Sequence, residues 1–165
     1  MNKFMDFFRV PFQKKNKERI SVRYLESSES PKTESFPGYC NILINHRTLQ
    51  RIIRNDDPEW KNPLSNIKGV FCITDLALGT HFIGSASGKS ESIWRIWKRY
   101  AYVNDLTRGN EIFKELKNKG ADHIVDNFQY SVIEVFNMNI DRKTILHREE
   151  YWKDVFQSVK YGMNN

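Results

Sequence analysis

The sequence predicts a domain of the α/β class, in finer terms α+β, built on a small mixed, mainly antiparallel three-stranded sheet flanked by helices. Two short β-rich runs, GVFCIT at 69–74 and HFIGSA at 81–86, lie close enough in the chain to form a hairpin. A third run, NFQYSVIEVF at 127–136, alternates apolar and polar residues as a strand does. Stretches with a helical apolar period separate and follow these runs, and they supply the flanking helices.

Length, charge and cysteine content narrow the class of protein. The chain of 165 residues suits one domain. We predict a basic and aromatic N-terminal extension at 1–35, followed at 36–165 by the domain, which begins with a lead-in helix. A net charge of +6 favours an acidic partner such as nucleic acid. Cys40 and Cys72 are too few for a disulfide framework or a zinc knuckle. No apolar stretch approaches the ~20 residues of a membrane helix, so we expect a soluble intracellular protein without membrane contact.

The N-terminal extension joins aromatic residues at 4–8 to lysines and arginines at 14–19. This composition suits an arm that contacts phosphate or a protein partner, and the commoner alternative is a solvated terminus whose rings pack on the domain. Residues 20–26 alternate like a strand, and the Ser- and Pro-rich residues that follow predict a loop.

The lead-in and the hairpin are predicted from spacing and turn chemistry. Apolar residues from Ile42 to Ile53 recur at near-helical spacing and predict one short helix, which ends before Pro58. Gly79 lies between the two hairpin runs and is able to adopt a left-handed turn conformation.

Three further helices follow the hairpin in the prediction. N-capping residues in SGKSES precede a helix at about 92–102, which has an apolar stripe on one side and basic residues on the other. A second helix is predicted at about 110–119, before Gly120, and DRKTILHREEYWKDVF at 141–156 has the apolar period of a third.

Several short motifs occur in a fixed order from about residue 65 to residue 164. They are GVF, FIGSA, IWRIWKRYA, NFQYSVIEVF, REEYW and YGMN, and the upstream FPGY and EWKNPLS extend the series back to Phe36. In this order they resemble the GIY-YIG nuclease family, in particular a bacterial and phage-type subgroup. The resemblance implies hydrolysis of DNA phosphodiesters and a location in the cytoplasm of a bacterium or a phage-infected cell.

The resemblance also implies a set of site residues. The family uses a glutamate that binds a divalent cation, two tyrosines from the hairpin and an arginine from the next helix. Hydrolysis of a phosphodiester needs a metal to polarise the phosphate, a cation for the developing charge and a base-assisted water. By this resemblance Glu149 binds Mg²⁺ or Mn²⁺ and Asn164 supports the site by hydrogen bonding. Without the resemblance, we would expect Glu149 to be a surface residue beside Glu150.

The reactive groups are replaced at the other motif positions. Phe71 and Phe82 stand where the two tyrosines are expected, and a benzyl ring has no oxygen to orient or deprotonate water. If Trp97 aligns with the family's Arg-Trp pair, Ile96 takes the arginine position, whereas counting residues from Phe82 favours Arg95. We expect Phe71, Phe82 and Ile96 to be inactive.

The first functional hypothesis is therefore a catalytically degenerate domain that binds DNA or a protein. Its basic helix offers Lys98 and Arg99 to phosphate groups. The degenerate domain needs no cofactor unless the metal site at Glu149 is retained.

Two alternatives remain. One is an active Mg- or Mn-dependent endonuclease that uses Glu149, Arg95 or Arg99, and a hydroxyl from Tyr100 or Tyr130. The other is a phage-like inhibitor or regulator that grasps a protein partner with the N-terminal FMDFFRV.

Overall fold

The computed structural model describes residues 35–102 and 120–165. The predicted strand at 20–26 and helix at 110–119 lie outside these residues, as does nearly all of the N-terminal extension. After a 3-10 turn at Tyr39–Asn41, the strands and helices of the described part are β1 (Leu43–Asn45), α1 (His46–Arg54), α2 (Pro58–Ser65), β2 (Ile67–Asp75), β3 (Thr80–Ala86), α3 (Ile93–Ala101), α4 (Ala121–Asn127), β4 (Phe128–Asn137) and α5 (Arg142–Phe156).

The α/β fold class is confirmed, but the predicted three-stranded sheet is wrong by one strand. Among the described residues the sheet has four strands in the order β1-β4-β2-β3, and each of these pairings is antiparallel. The additional strand is β1, in which Leu43 lies opposite Ser131 and Asn45 lies opposite Gln129. β1 is three residues long and pairs with a strand distant in the chain, so its short apolar run gives the same local signal as the start of a helix.

The hairpin forms as predicted and continues into the centre of the sheet. Gly79 has a φ of +66°, and the carboxylate of Asp75 accepts hydrogen bonds from the backbone N–H groups of Ala77 and Leu78 at 3.0 and 3.2 Å. A bulge between Val70 and Phe71 shifts the register of β2 against β4. β2 pairs with β3 on one side and with β4 on the other, so it lies inside the sheet.

The lead-in contains two helices, where the sequence predicted one. The side chain of Asn45 caps α1 by accepting a hydrogen bond from Thr48 N, and α1 ends at Arg54. Pro58 then begins α2, at a position where a missing N–H leaves no hydrogen bond unmade. The proline thus ends one helical segment and starts the next.

The two helices that carry most of the motif residues have the predicted bounds to within one residue. The hydroxyl of Ser92 accepts a hydrogen bond from Arg95 N at 3.3 Å at the start of α3. The carboxylate of Asp141 does the same for Thr144 N at 3.3 Å at the start of α5.

Two apolar clusters hold the helices to opposite faces of the sheet. The larger contains residues of α1 to α4 together with Phe71, Ile73 and Tyr130 of the sheet. The smaller joins Val70 and Ile83 to residues of α5. Because successive side chains of a strand point to opposite faces, Phe82 and Ile83 belong to different clusters.

Within residues 35–102 and 120–165, none of the helices is both long and apolar enough to cross a bilayer.

Candidate functional site

Glu149 lies on α5 with its carboxylate against the sheet. One of its oxygens accepts a hydrogen bond from the hydroxyl of Ser85 on β3, and the other is 2.8 Å from the Nζ of Lys153. Only 16% of the Glu149 side chain and 14% of the Lys153 side chain are exposed. The fold therefore brings Glu149, Ser85 and Lys153 together in one partly buried cluster, which we call the Glu149 cluster.

Lys153 also contacts the next carboxylate of α5. Its Nζ is 2.8 Å from an oxygen of Glu150, whose side chain is 69% exposed. Burial alone would lower the pKa of Lys153, but the hydrogen bonds to Glu149 and Glu150 outweigh it and raise the pKa. The ammonium group is thus charged at neutral pH and shared between two carboxylates.

Phe71 and Phe82 belong to an aromatic cluster on the opposite face of the sheet. Phe71 is 1% exposed, and its ring makes edge contacts with Trp97 and Tyr100 at centroid distances of 6.3 and 5.8 Å. The Phe71 and Phe82 centroids are 6.4 Å apart. A Cβ added to Gly84 would lie 2.7 Å from Cζ of Phe71, so the absence of a side chain at Gly84 makes room for this ring.

The two candidates for the arginine position point to different places. Ile96 is 8% exposed and packs in the larger apolar cluster. Arg95 is exposed and donates hydrogen bonds to the carbonyl and hydroxyl oxygens of Ser90 at 3.1 and 3.3 Å. Adjacent helical residues point about 100° apart, so the fold that buries Ile96 turns Arg95 toward solvent.

Arg95 lines an open groove on the exposed side of α3. The groove has a volume of ≈ 550 Å³, and its lining residues are Ser90, Glu91, Arg95, Lys98, Arg99 and Tyr102. Three of these side chains are cationic and one is a carboxylate, so the groove carries a net positive charge. We call it the basic groove; it brings together the predicted nucleic-acid-binding residues Lys98 and Arg99.

Glu91 is the carboxylate of the basic groove and is held from two sides. One of its oxygens is 2.7 Å from Nη2 of Arg99, and the other accepts a hydrogen bond from Gly88 N at 2.9 Å. Burial alone would raise the pKa of Glu91, but these two hydrogen bonds and the charges of Arg99 and Arg142 lower it. Arg142, the first residue of α5, is therefore close enough to add positive charge beside the groove.

Two tyrosine hydroxyls were candidates for a replacement base. Burial raises the pKa of Tyr100; Glu149 and Glu91 add to the rise and Arg99 opposes it. Tyr130 is fully buried, with its hydroxyl 2.8 Å from Nδ1 of His46, and burial raises its pKa as well. Both phenols are protonated at neutral pH, which suits hydrogen bonding and not proton abstraction.

Asn164 binds the outer edge of β3. Its side-chain oxygen accepts from Ile83 N and its amide donates to Ile83 O, both at 2.8 Å, while Met163 N donates to His81 O at 2.8 Å. The C-terminal turn thus occupies backbone groups that an edge strand otherwise leaves open. Asn164 positions the strand that carries Phe82 and Ser85.

Sequence reasoning missed several residues of these two regions. Glu149 and Lys153 are four residues apart on a helix, a spacing that indicates an ion pair, so this contact was readable from the sequence. No local pattern connected Ser85 with Glu149, or Arg142 with Glu91, because each pair is joined only by the folded chain.

Among the residues that the structure describes, no group of three or more His, Cys, Asp or Glu side chains is placed to hold a metal ion. Comparison of the chain with models of protein families, with curated proteins and with solved structures gives no significant match.

Proposed function

We propose that the chain is a GIY-YIG-like domain that binds DNA through the basic groove and does not cleave it. The observation that carries this proposal is the groove itself, where Arg95, Lys98 and Arg99 line one opening and a single carboxylate opposes them. Cationic side chains bind phosphates and release the counterions of the nucleic acid, so such a groove gains affinity from any phosphate backbone.

The side chains that line the basic groove suit this ligand. Arginine presents a planar fork that binds phosphate through two parallel hydrogen bonds, and lysine adds a point charge. Tyr102 is 49% exposed at the same groove, and an aromatic ring beside cations is a surface on which a base can stack.

The loss of cleavage is supported by the chemistry of the motif positions. Phe71 and Phe82 are rings without an oxygen, and Ile96 is packed in the core. Tyr100 packs against Phe71 and Phe82, and its raised pKa keeps the phenol protonated. Tyr100 therefore does not supply the base that the two phenylalanines lack. An active Mg- or Mn-dependent endonuclease would need Glu149 and a base from outside these residues.

A protein partner is the remaining alternative, and it rests on the N-terminal extension at 1–35. The motif FMDFFRV offers aromatic anchors of the kind that protein interfaces use. Nearly all of this extension lies outside the described residues, and the inhibitor or regulator hypothesis rests on the sequence. A bacterial or phage-infected cytoplasm is proposed from the sequence resemblance alone.

The binding proposal is tested by fluorescence anisotropy with short labelled duplex and single-stranded DNA over a series of salt concentrations. We expect the logarithm of the duplex affinity to fall with the logarithm of salt with a slope of about −2 to −3, because each neutralised phosphate contributes about −0.9. Lys98→Gln should weaken binding to all sequences and make the slope shallower by about 1.

The matched control is Arg54→Gln, which removes the same charge from an exposed position at the end of α1. If Lys98→Gln and Arg54→Gln changed the affinity equally, net charge and not the basic groove would account for binding. Undetectable DNA binding by the wild-type chain would shift the proposal to a protein partner.

A further inference from the structure

The Glu149 cluster already contains a cation. Nζ of Lys153 is 2.8 Å from one carboxylate oxygen of Glu149, and the hydroxyl of Ser85 donates to the other. Both charged side chains are largely removed from water, at 16% and 14% exposure. Both oxygens that a metal ion would use therefore have protein partners.

The residues around Glu149 do not fit a divalent ion. Mg²⁺ takes oxygen ligands at about 2.0–2.1 Å in an octahedron, and Mn²⁺ likewise prefers oxygen ligands. A metal at that distance from Glu149 would crowd the ammonium of Lys153, and the two positive charges would repel each other. Glu150 does not complete a site, because its carboxylate is bound to the same ammonium group.

We propose that Lys153 supplies the positive charge at Glu149 that the family resemblance assigns to a divalent ion, so that this centre is metal-free. The proposal rests on the GIY-YIG-like function proposed above and specifies how its carboxylate is neutralised. The Lys153 ammonium neutralises the Glu149 carboxylate without a metal. Binding of DNA is then independent of divalent cations.

The test is a calorimetric titration of the full chain with MnCl₂ in the absence of nucleic acid. We expect the wild-type chain and Glu149→Gln to give the same weak, non-saturating response. A saturable site in the wild-type chain that Glu149→Gln weakens tenfold or more would overturn the proposal. Because no DNA is present, this outcome is independent of whether the basic groove binds nucleic acid.

A second variant tests whether Lys153 itself excludes the metal. Lys153→Met removes the ammonium and should let Glu149 bind Mn²⁺ at least tenfold more tightly than in the wild-type chain. Lys143→Met, an exposed lysine at the start of the same helix, should leave Mn²⁺ binding unchanged. If Lys153→Met folds, as judged by circular dichroism, and binds Mn²⁺ no better than the wild type, the proposal is wrong. If it does not fold, the wild-type and Glu149→Gln titrations decide.

Discussion

If the basic groove binds DNA as proposed, Glu91 competes with a phosphate for Arg99, and removing its charge should strengthen binding. Its carboxylate is 2.7 Å from the Arg99 guanidinium, which is the contact that a phosphate oxygen would make. Its lowered pKa keeps this carboxylate ionised at neutral pH. The change Glu91→Gln removes the charge and retains an oxygen that is able to accept the hydrogen bond from Gly88 N.

The size of the effect follows from the number of cations that become available. With Arg99 released, the basic groove offers one further group to neutralise a phosphate. Affinity scales with salt to a power of about −0.9 for each neutralised phosphate, so one further contact is worth about eightfold at ~0.1 M salt relative to 1 M. The gain should disappear as the salt concentration approaches that upper limit.

Fluorescence anisotropy with a labelled duplex over the salt series measures this difference directly. The matched control is Glu59→Gln, which makes the same change of charge at an exposed residue in the first turn of α2. Equal gains for Glu91→Gln and Glu59→Gln would refute the reasoning, because they would show a response to net charge alone. A gain that persists unchanged in high salt would also refute it.

Three further predictions concern stability. Burial, followed by the charge of Arg47, lowers the pKa of His46 from 6.5 to about 4, so the unfolded chain gains a proton before the folded chain does as the pH falls. Neutral His46 contributes its full stability above pH 6.5. The free energy of unfolding should fall by ~3 kcal/mol as the pH drops from 6.5 toward 4, as measured by urea unfolding at a series of pH values. Phe71→Tyr should cost about 1–3 kcal/mol in the same assay, because Cζ, the atom that would carry the hydroxyl, is packed over Gly84. Asn164→Ala should cost about 2–3 kcal/mol, since it removes two buried hydrogen bonds to Ile83, and it should speed hydrogen exchange of the Ile83 amide.

Each stability prediction has its own control. His46→Asn removes the titrating ring and should flatten the pH dependence; a curve as steep as that of the wild type would assign the loss to other groups. Phe82→Tyr, at a half-buried ring, should cost less than Phe71→Tyr, and equal stability of Phe71→Tyr and the wild type would mean that the site still accommodates a hydroxyl. Asn165→Ala is the control for Asn164→Ala, because Asn165 is exposed, and equal effects of the two changes would contradict the β3 contact.

The elements with strong local signals were predictable from the sequence. The hairpin has two β-rich runs around Gly79, and α3 and α5 have an apolar period with Ser92 and Asp141 as caps. Each of these features depends on residues a few positions apart, so a short stretch of sequence is enough to predict it.

The elements that the prediction missed depend on distant contacts. β1 is a strand because Leu43–Asn45 pairs with β4, and three residues carry too short an alternation to indicate this alone. Pro58 indicates the end of a helix in the sequence, although its preference for the first turn of a helix fits the start of α2 equally well. The seven-residue α4 was not predicted at all.

The sequence located the residues of the candidate site but did not predict all of the contacts between them. The motifs located Glu149, Phe71, Phe82 and the basic face of α3. They did not predict that Ser85 contacts this carboxylate, because that contact depends on how α5 packs on the sheet, whereas Glu149 and Lys153 are four residues apart on one helix. The resemblance suggested a metal ligand at Glu149, and the fold places the Lys153 ammonium beside that carboxylate.

The most direct test of the central claim is a single incubation of the wild-type chain with end-labelled duplex DNA and MnCl₂, analysed on native and denaturing gels. We predict a shifted band on the native gel, which reports binding, and full-length strands on the denaturing gel. Strand cleavage that is abolished by Glu149→Gln would contradict the account, because it would show that the Glu149 cluster supports metal-dependent hydrolysis.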